Sequence, residues 1–267
     1  EAGNYNLNIT SSLQPKPIGT GDAVRCGLDK VKDHSKVLVL YGDVPLIRKE
    51  TLQNLIDSSD SGLSILTTVL DKPFGYGRVK TNDNNEALEI VEEKDATDEE
   101  RQIQEIFTGV LCGSKTLIEE GLSKITNNNA TGEFYLTNLV SIINGKGIRI
   151  NTYKASNDEV KGANSKQELE QLETTYRAMK AEDLFEKGIT ITDASRLDVR
   201  GSVECGRDCS IDVNVILEGN IILGDNVSIG PNSILKNTSI GSNTKIEAFS
   251  HIDGAKIGDN CVIGPYA

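Results

Sequence analysis

Two hydrophobic patterns divide the chain, and the first extends to about residue 165. Short apolar runs alternate there with longer polar stretches that have helical character. Alternation of this kind is typical of βαβ architecture, so the pattern predicts an α/β domain. The predicted strands cover residues 37–40, 64–70, 87–91 and 108–111. The predicted helices lie around 21–31 and 49–58 and towards the far end of 133–143.

The run VLVLYGDVPLI at 37–47 ends a predicted strand close to an aspartate. A short apolar run bounded by glycine and proline is typical of a strand buried on both faces. Ligands of open parallel sheets bind beyond the carboxyl ends of the strands, where Asp43 falls. Two interpretations stay open: Asp43 contacts a ligand, or it only ends the strand or caps the next helix.

The segment after residue 165 has an uninterrupted helical pattern. Ser165 and Glu168 fit a capping box, in which a hydroxyl and a carboxylate satisfy backbone amides. Gly188 supplies a C-terminal stop. One apolar stripe recurs every three or four residues, at Leu169, Leu172, Tyr176 and Met179. We therefore predict a helical arm over 166–188 rather than a flexible linker.

The second hydrophobic pattern, over 189–267, repeats every six residues. Its apolar series runs through Cys205, Ile211, Leu217, Leu223, Ile229 and Leu235. After two one-residue slips it continues through Ile240, Ile246, Ile252, Ile257 and Ile263. This period is typical of a parallel β-helix, whereas a β-sandwich would alternate with a period of two. Glycine and asparagine are expected in the turns because both tolerate positive φ.

Charge and cysteine usage narrow the function classes. The chain has 28 basic and 40 acidic residues, a net charge of −12, which disfavours binding to nucleic acid. A phosphorylated substrate stays compatible, because a metal ion can bridge like charges. No apolar run is long enough to span a membrane, so we expect a cytoplasmic protein. Five scattered cysteines and two histidines disfavour a disulfide framework and a zinc site, so a catalytic metal should be a hard ion with oxygen ligands.

Short motifs follow one another through the first region: LQPKPIGTGDAV, YGDVPLI, GYGRV, IVEEKDAT, RQIQEI, TNNNATGEFYLT and GANSK. Gly19-Thr20-Gly21 precedes a helix and could seat an anion or a carbonyl edge, although such a motif alone is usually a tight turn. In this order, followed by hexads, the motifs resemble the bacterial bifunctional GlmU family of N-acetylglucosamine-1-phosphate uridylyltransferase / glucosamine-1-phosphate acetyltransferases. The resemblance runs from about Leu13 to Ala267. It implies an α/β fold: a partial Rossmann-like nucleotidyltransferase domain, a helical arm and a partial left-handed parallel β-helix of hexapeptide repeats.

The resemblance also implies a reaction. The family transfers a uridylyl group from UTP to N-acetylglucosamine-1-phosphate with Mg²⁺ and releases pyrophosphate. The product, UDP-N-acetylglucosamine, supplies peptidoglycan and lipopolysaccharide synthesis. Full-length members form homotrimers and acetylate glucosamine-1-phosphate with acetyl-CoA.

Site residues are carried over only where a motif matches. The uracil positions are Gln14, Gly19 and Thr20, and the nucleotide triplet is Tyr41, Gly42 and Asp43. Gly77 and Glu92 match contacts to N-acetylglucosamine, and Tyr135 and Thr137 match positions lining the sugar pocket. The magnesium ligands are Asp43 and Asn164.

General chemistry agrees with these assignments, but simpler structural roles stay open. Phosphoryl-type transfer needs positioning and charge neutralisation, and Mg²⁺ often takes only one or two protein ligands. However, Gly77 could only turn a hairpin, Glu92 could lie on a solvated face, and Asn164 could cap the arm helix.

Two departures from the family concern recognition. Phe107 replaces an asparagine that hydrogen-bonds the sugar, and a phenyl ring has no amide donor or acceptor. Pro17 replaces a glutamine near the uracil loop.

The domain boundaries indicate an internal fragment. Residues 1–165 match a uridylyltransferase domain without its glycine-rich loop, 166–188 a helical linker, and 189–267 the first coils of the acetyltransferase domain. We expect this chain alone to have very low uridylyltransferase activity and no acetyltransferase activity. Two alternatives are a nucleotidyltransferase for another sugar phosphate and a non-catalytic hexapeptide-repeat scaffold.

Overall fold

A computed structural model describes residues 8–267, so residues 1–7 of the predicted first domain lie outside the description. The chain divides into two compact units, the first ending at Gly162 and the second running from Ala163 to Ala267. The arm helix over 166–188 was predicted to be a separate linker between the two domains. The structure instead places that helix in the second unit.

The first unit is built around a mixed β-sheet. Its described strands are β1 (Lys36–Val39), β2 (Leu63–Val69), β3 (Arg78–Thr81), β4 (Ala87–Val91), β5 (Glu105–Ser114) and β6 (Ile150–Lys154). They are ordered β4-β3-β5-β2-β6, with β1 paired to β5, and among them only β2 and β6 run parallel. The helices are α1 (Thr20–Leu28), α2 (Lys49–Ser58), α3 (Lys115–Leu122) and α4 (Asn138–Asn144).

Helices cover both faces of this sheet. Neighbouring residues of β2 point to opposite faces, so Ile65 and Leu66 enter different apolar clusters. The Ile65 cluster includes residues of α1, α3 and α4, whereas the Leu66 cluster includes Leu55 of α2. This layering confirms the predicted α/β class.

The strand before Asp43 differs from its prediction. Residues 37–40 were expected to be buried on both faces of a parallel sheet, and this was wrong. Strand β1 pairs antiparallel with β5, its side chains are half-buried or exposed, and Leu40 is 48% exposed. The physical reason is that β1 lies beside one strand only among the described residues.

The second unit begins with the helix α5 (Lys166–Glu186). The Ser165 hydroxyl accepts the Glu168 N–H at 3.2 Å, and the Glu168 carboxylate accepts the Asn164 N–H at 2.7 Å. The helix ends at Glu186, and Gly188 just beyond it stops the helix with φ +80°, while the Ile189 N–H donates to the Leu184 carbonyl. Both predicted ends are therefore confirmed.

The predicted apolar stripe of this helix was only partly right. Leu172 is buried, but Leu169 is exposed. Ala181 and Leu184 are buried further along and pack in the same cluster as the repeats.

The repeats form a parallel β-solenoid. Its strands are β7 (Thr190–Ile191), β8 (Leu197–Cys205), β9 (Ser210–Ile211), β10 (Val215–Leu223), β11 (Ser228–Ile229), β12 (Ile234–Lys236), β13 (Ser239–Ile240), β14 (Lys245–Ile246), β15 (His251–Asp253), β16 (Lys256–Ile257) and β17 (Val262–Ile263). Val215 pairs with Leu197, 18 positions earlier, whereas Ile246 pairs with Ile229, 17 positions earlier. The two slips in the hexad series are thus two shortened coils. The left-handed sense stays a prediction.

Asparagine and glycine have different roles in the turns. Asparagines take positive φ as predicted, and the Asn214 amide donates to Asn232 of the next coil at 2.8 Å. The glycines that follow an apolar residue were expected to do the same, which is wrong for most of them. Gly224 and Gly230 have no positive φ, but a Cβ on Gly230 would lie 2.8 Å from the Ala248 backbone nitrogen. Glycine is needed here because the next coil stacks too closely for a side chain.

Candidate functional site

Tyr41 is the anchor of the YGD motif. Its ring packs on Gly109, where β5 bulges and φ is +86°, and any Cβ on Gly109 would overlap the ring. The phenol lies close enough to the Thr20 side chain for Thr20 to lower its pKa. Burial raises the pKa of Tyr41 above its ordinary value, and the nearby Glu92 and Asp43 carboxylates raise it further against the effect of Thr20. Tyr41 thus connects the GTG motif with the YGD motif.

The GTG motif is held by the segment that follows the TNNN loop. Gly19 has φ +127° and lies so close to the Phe134 backbone that a Cβ would overlap it. The Gly21 N–H donates to the Phe134 carbonyl at 2.8 Å, and the Thr20 hydroxyl accepts the Leu136 N–H at 3.1 Å. Glycine is therefore required at position 19 by both conformation and space.

Gln14 lies against the same motif. Its amide nitrogen donates to the Gly19 carbonyl at 3.1 Å and to the Asp22 carboxylate at 2.9 Å. These bonds occupy both amide hydrogens, which leaves the side-chain carbonyl as an acceptor. Asp22 was not singled out by the sequence, and nothing but its place in the first turn of α1 could have indicated it.

Glu92 lies near Tyr41 and contacts Thr137. Its carboxylate accepts the Thr137 hydroxyl at 2.8 Å. Burial raises the pKa of Glu92, with Asp95 and Glu133 contributing in the same direction and Thr137 opposing them. A Cβ built on Gly77 would lie 3.7 Å from Glu92 Oε2, and it would collide with Ile90 at 2.8 Å.

The predicted sugar-pocket residues Tyr135 and Thr137 belong to this region as well. The Tyr135 hydroxyl lies 2.5 Å from the Thr131 hydroxyl, and Thr137 is buried against Glu92. The structure therefore brings Thr20, Tyr41, Gly77, Glu92 and Thr137 together.

A buried ion pair supports Gly77 and Glu92, and the sequence did not reveal it. Arg78 is only 2% exposed and donates to Glu93 at 2.6 Å, while the Gly75 N–H donates to the same carboxylate at 3.2 Å. These bonds tie the GYGRV loop to the end of β4. Arg78 Nε is buried without a partner among the described residues.

The two predicted metal ligands fall in different units. Asp43 is an exposed residue of the turn between β1 and α2, and Gly42 beside it is exposed too. Asn164 belongs to the second unit, where its N–H donates to Glu168, and the helix cap is Ser165 rather than Asn164. The pairing of Asp43 with Asn164 for a metal stays a prediction.

Comparison with known proteins places this geometry in a family. A family model described as nucleotidyl transferase matches residues 1–183, more than half of the chain. The chain belongs to the nucleotidyl transferase family. A second model, the bacterial transferase hexapeptide (six repeats), matches residues 202–237 and 237–267. The resemblance drawn from the motifs is therefore confirmed.

Curated relatives of this nucleotidyl transferase share its two-part organisation. The bifunctional protein GlmU of Methylococcus capsulatus is 48% identical over 265 residues, which cover 98% of this chain and 58% of the relative. Bifunctional protein GlmU of Paraburkholderia phymatum is 45% identical over 262 residues, covering 97% and 58%. The chain thus spans a little under three-fifths of the length of these relatives.

The donor chemistry of the site suits a hard divalent ion. In the described part of the chain, the Asp43 carboxylate makes no hydrogen bond or ion pair that would occupy its oxygens. No group of three or more His, Cys, Asp or Glu side chains among the described residues could hold a metal ion. A nucleotidyl transferase that supplies one or two oxygen ligands fits Mg²⁺, because phosphates and water fill the other positions.

One finding bears on membranes. Across residues 8–267, every helix is too short or too polar to cross a bilayer.

Proposed function

We propose that this nucleotidyl transferase carries the sugar-nucleotide pocket of an enzyme that makes UDP-N-acetylglucosamine. In this reaction, the phosphate oxygen of N-acetylglucosamine-1-phosphate attacks the α-phosphorus of UTP, and pyrophosphate leaves. Mg²⁺ would be held by Asp43 and Asn164 and would neutralise charge on the phosphates.

The observation that carries the proposal is that motifs from the beginning and the end of the first unit lie close together in the structure. Tyr41 lies close enough to Thr20 of the predicted uracil loop and to Glu92 for both side chains to shift its pKa, Thr20 downward and Glu92 upward. Glu92 in turn accepts the Thr137 hydroxyl. Residues assigned to the base and to the sugar therefore line one continuous region.

The chain's own groups suit these roles. The free carbonyl of Gln14 can accept the N3–H of uracil, because its amide hydrogens already bond to Gly19 and Asp22. Glu92 can accept a sugar hydroxyl or the acetamido N–H. Glycine suits position 77 beside Glu92, because a Cβ there would collide with Ile90.

Properties of the longer protein belong to the same proposal. By likeness to the bifunctional relatives, the complete protein would acetylate glucosamine-1-phosphate with acetyl-CoA and form a homotrimer. It would work in the cytoplasm and supply cell-wall and lipopolysaccharide synthesis.

Calorimetric titration of the chain with sugar nucleotides tests the pocket without requiring turnover. We expect UDP-N-acetylglucosamine to bind more tightly than UDP-glucose, and GDP-mannose to show no binding. Absence of binding by every sugar nucleotide would reject the pocket and favour the scaffold interpretation.

A second sugar remains a candidate because of Phe107. The residue is 6% exposed and its ring packs in the apolar cluster of the sheet, while its backbone N–H donates to the Gly77 carbonyl at 2.9 Å. A buried apolar residue is thus bonded through its backbone to the glycine assigned to the sugar. Tighter binding of another UDP-sugar in the same titration would establish that alternative.

A further inference from the structure

The carboxylate of Glu159 joins two segments of the first unit. Glu159 is 6% exposed, and its Oε2 accepts the Arg48 backbone N–H at 3.1 Å and the Thr51 hydroxyl at 2.5 Å. Its Oε1 accepts the Ser156 hydroxyl at 3.0 Å. Burying a carboxylate is unfavourable unless such donors compensate for lost water, so this arrangement is specific.

Glu159 provides the N-terminal cap of α2. The N-cap residue of that helix is Arg48, whose side chain makes no capping hydrogen bond. The acceptor comes instead from Glu159, far away in sequence, and its negative charge also suits a helix N-terminus. The turn that carries Asp43 ends at this helix start, so Glu159 fixes one end of the turn.

The segment that carries Glu159 is itself attached to the sheet. The Ala155 N–H donates to the Thr67 carbonyl at 2.9 Å, and the Thr68 hydroxyl donates to Ala155 and Asn157. This anchorage makes the segment a firm support.

The same segment also touches the turn near Asp43. A Cβ built on Gly162 would lie 3.2 Å from the Asp43 carbonyl oxygen and 3.5 Å from Val44 Cγ2. The other end of the turn is fixed by Tyr41 on Gly109. The support therefore acts on the turn at Asp43 and at Arg48.

We propose that Glu159 is a positioning residue that holds the 41–48 turn so that Asp43 can meet a metal–nucleotide complex. The inference rests on the proposed function, because it concerns the aspartate assigned to magnesium. Loss of the Glu159 charge would release the start of α2 and let the turn move, while the residues assigned to uracil and sugar stay in place.

Calorimetric titration of the chain with UTP, once with Mg²⁺ and once with EDTA, tests this role below the unfolding temperature of every variant. We expect Glu159→Gln to weaken binding of Mg²⁺–UTP by about tenfold, as for partners that orient a ligand, and to leave metal-free UTP binding unchanged. Thr51→Val removes one donor but keeps the buried charge, and should act in the same direction. Glu105→Gln is the matched control, because Glu105 also accepts a threonine hydroxyl, from Thr67 at 2.8 Å, without contacting the turn.

The outcomes separate this inference from the proposed function. If Asp43→Ala leaves Mg²⁺–UTP affinity unchanged, the magnesium assignment fails and the positioning role fails with it. If Asp43→Ala weakens binding but Glu159→Gln and Thr51→Val do not, the positioning role alone is rejected. An equal loss with and without Mg²⁺ in Glu159→Gln would indicate general structural damage and also reject it.

Discussion

Gly109 shows at the residue scale how one backbone position serves a site. Its φ of +86° and the Tyr41 ring packed on it both require the absence of a side chain. Gly109 was not among the predicted site residues, although a glycine inside a strand pattern often marks a bulge or a close approach.

Substituting this glycine should disturb Tyr41 directly. We expect Gly109→Ala to lower the free energy of unfolding by about 2 kcal/mol, from positive-φ strain and overlap with the ring. Spectrophotometric titration should also show the pKa of Tyr41 moving back towards its ordinary value as the ring is exposed. Gly42→Ala is the control, since nothing lies within 4 Å of a Cβ there, and it should stay within about 0.5 kcal/mol.

The Glu92 carboxylate should lower the stability of the folded protein while contributing to ligand binding. Because its pKa is raised in the folded state, the folded protein binds the proton more tightly than the unfolded chain does. Its carboxylate therefore reduces stability as pH rises above the ordinary glutamate range, and this loss disappears at lower pH. We expect Glu92→Gln to melt at a higher temperature than the parent at pH 7, with the difference vanishing towards pH 4, while UDP-N-acetylglucosamine binds more weakly.

Two results would contradict this account of Glu92. A melting difference that does not depend on pH would show that ionisation is not the cause. Unchanged affinity would remove Glu92 from the sugar pocket.

At the scale of elements, sequence periodicity predicted where helices, strands and coils lie, but it did not predict which distant segments pack against them. The hexad series, its two slips, the ends of α5 and the position of β4 all follow from local pattern and capping chemistry. Burial of β1 and the support from Glu159 depend on segments distant in the chain. Single-sequence patterns carry no information on such pairings, so these features could not be predicted.

One solenoid glycine allows a matched comparison. Gly230 of the solenoid and Gly27 of α1 both lack a positive φ, but a Cβ on Gly230 would lie 2.8 Å from the Ala248 backbone nitrogen, whereas nothing lies within 4 Å of a Cβ on Gly27. We expect Gly230→Ala to cost about 2 kcal/mol through overpacking and Gly27→Ala to be neutral or slightly stabilising, measured by urea unfolding of the chain. An equally harmless Gly230→Ala would show that stacking distance is not what selects glycine in the solenoid.

At the scale of the whole molecule, the predicted ligand-binding residues fall almost entirely in one unit. All of them except Asn164 lie in the unit that ends at Gly162. The motif order predicted this grouping, but it could not reveal that the two predicted magnesium ligands fall on both sides of the unit boundary.

Hydrogen exchange should detect this division. We expect saturating UDP-N-acetylglucosamine to slow amide exchange around Thr20, Tyr41 and Glu92 and to leave the coils at 189–267 unchanged. Mass spectrometry of peptides from the chain with and without ligand would measure it. Protection spread evenly over the coils would contradict a pocket confined to the first unit.

The shortened coils have a consequence for how this molecule can change over evolution. Strands β8 and β10 continue without a break through one corner of the solenoid. In the later coils the strand is interrupted at this corner, at Asn237 and Gly254, and these coils are one residue shorter. A deletion within a flat side would turn each following side chain to the wrong face. At this corner, the inward series simply resumes. Single-residue insertions and deletions can therefore accumulate at one edge of the solenoid, leaving its interior unchanged while its outer surface diversifies.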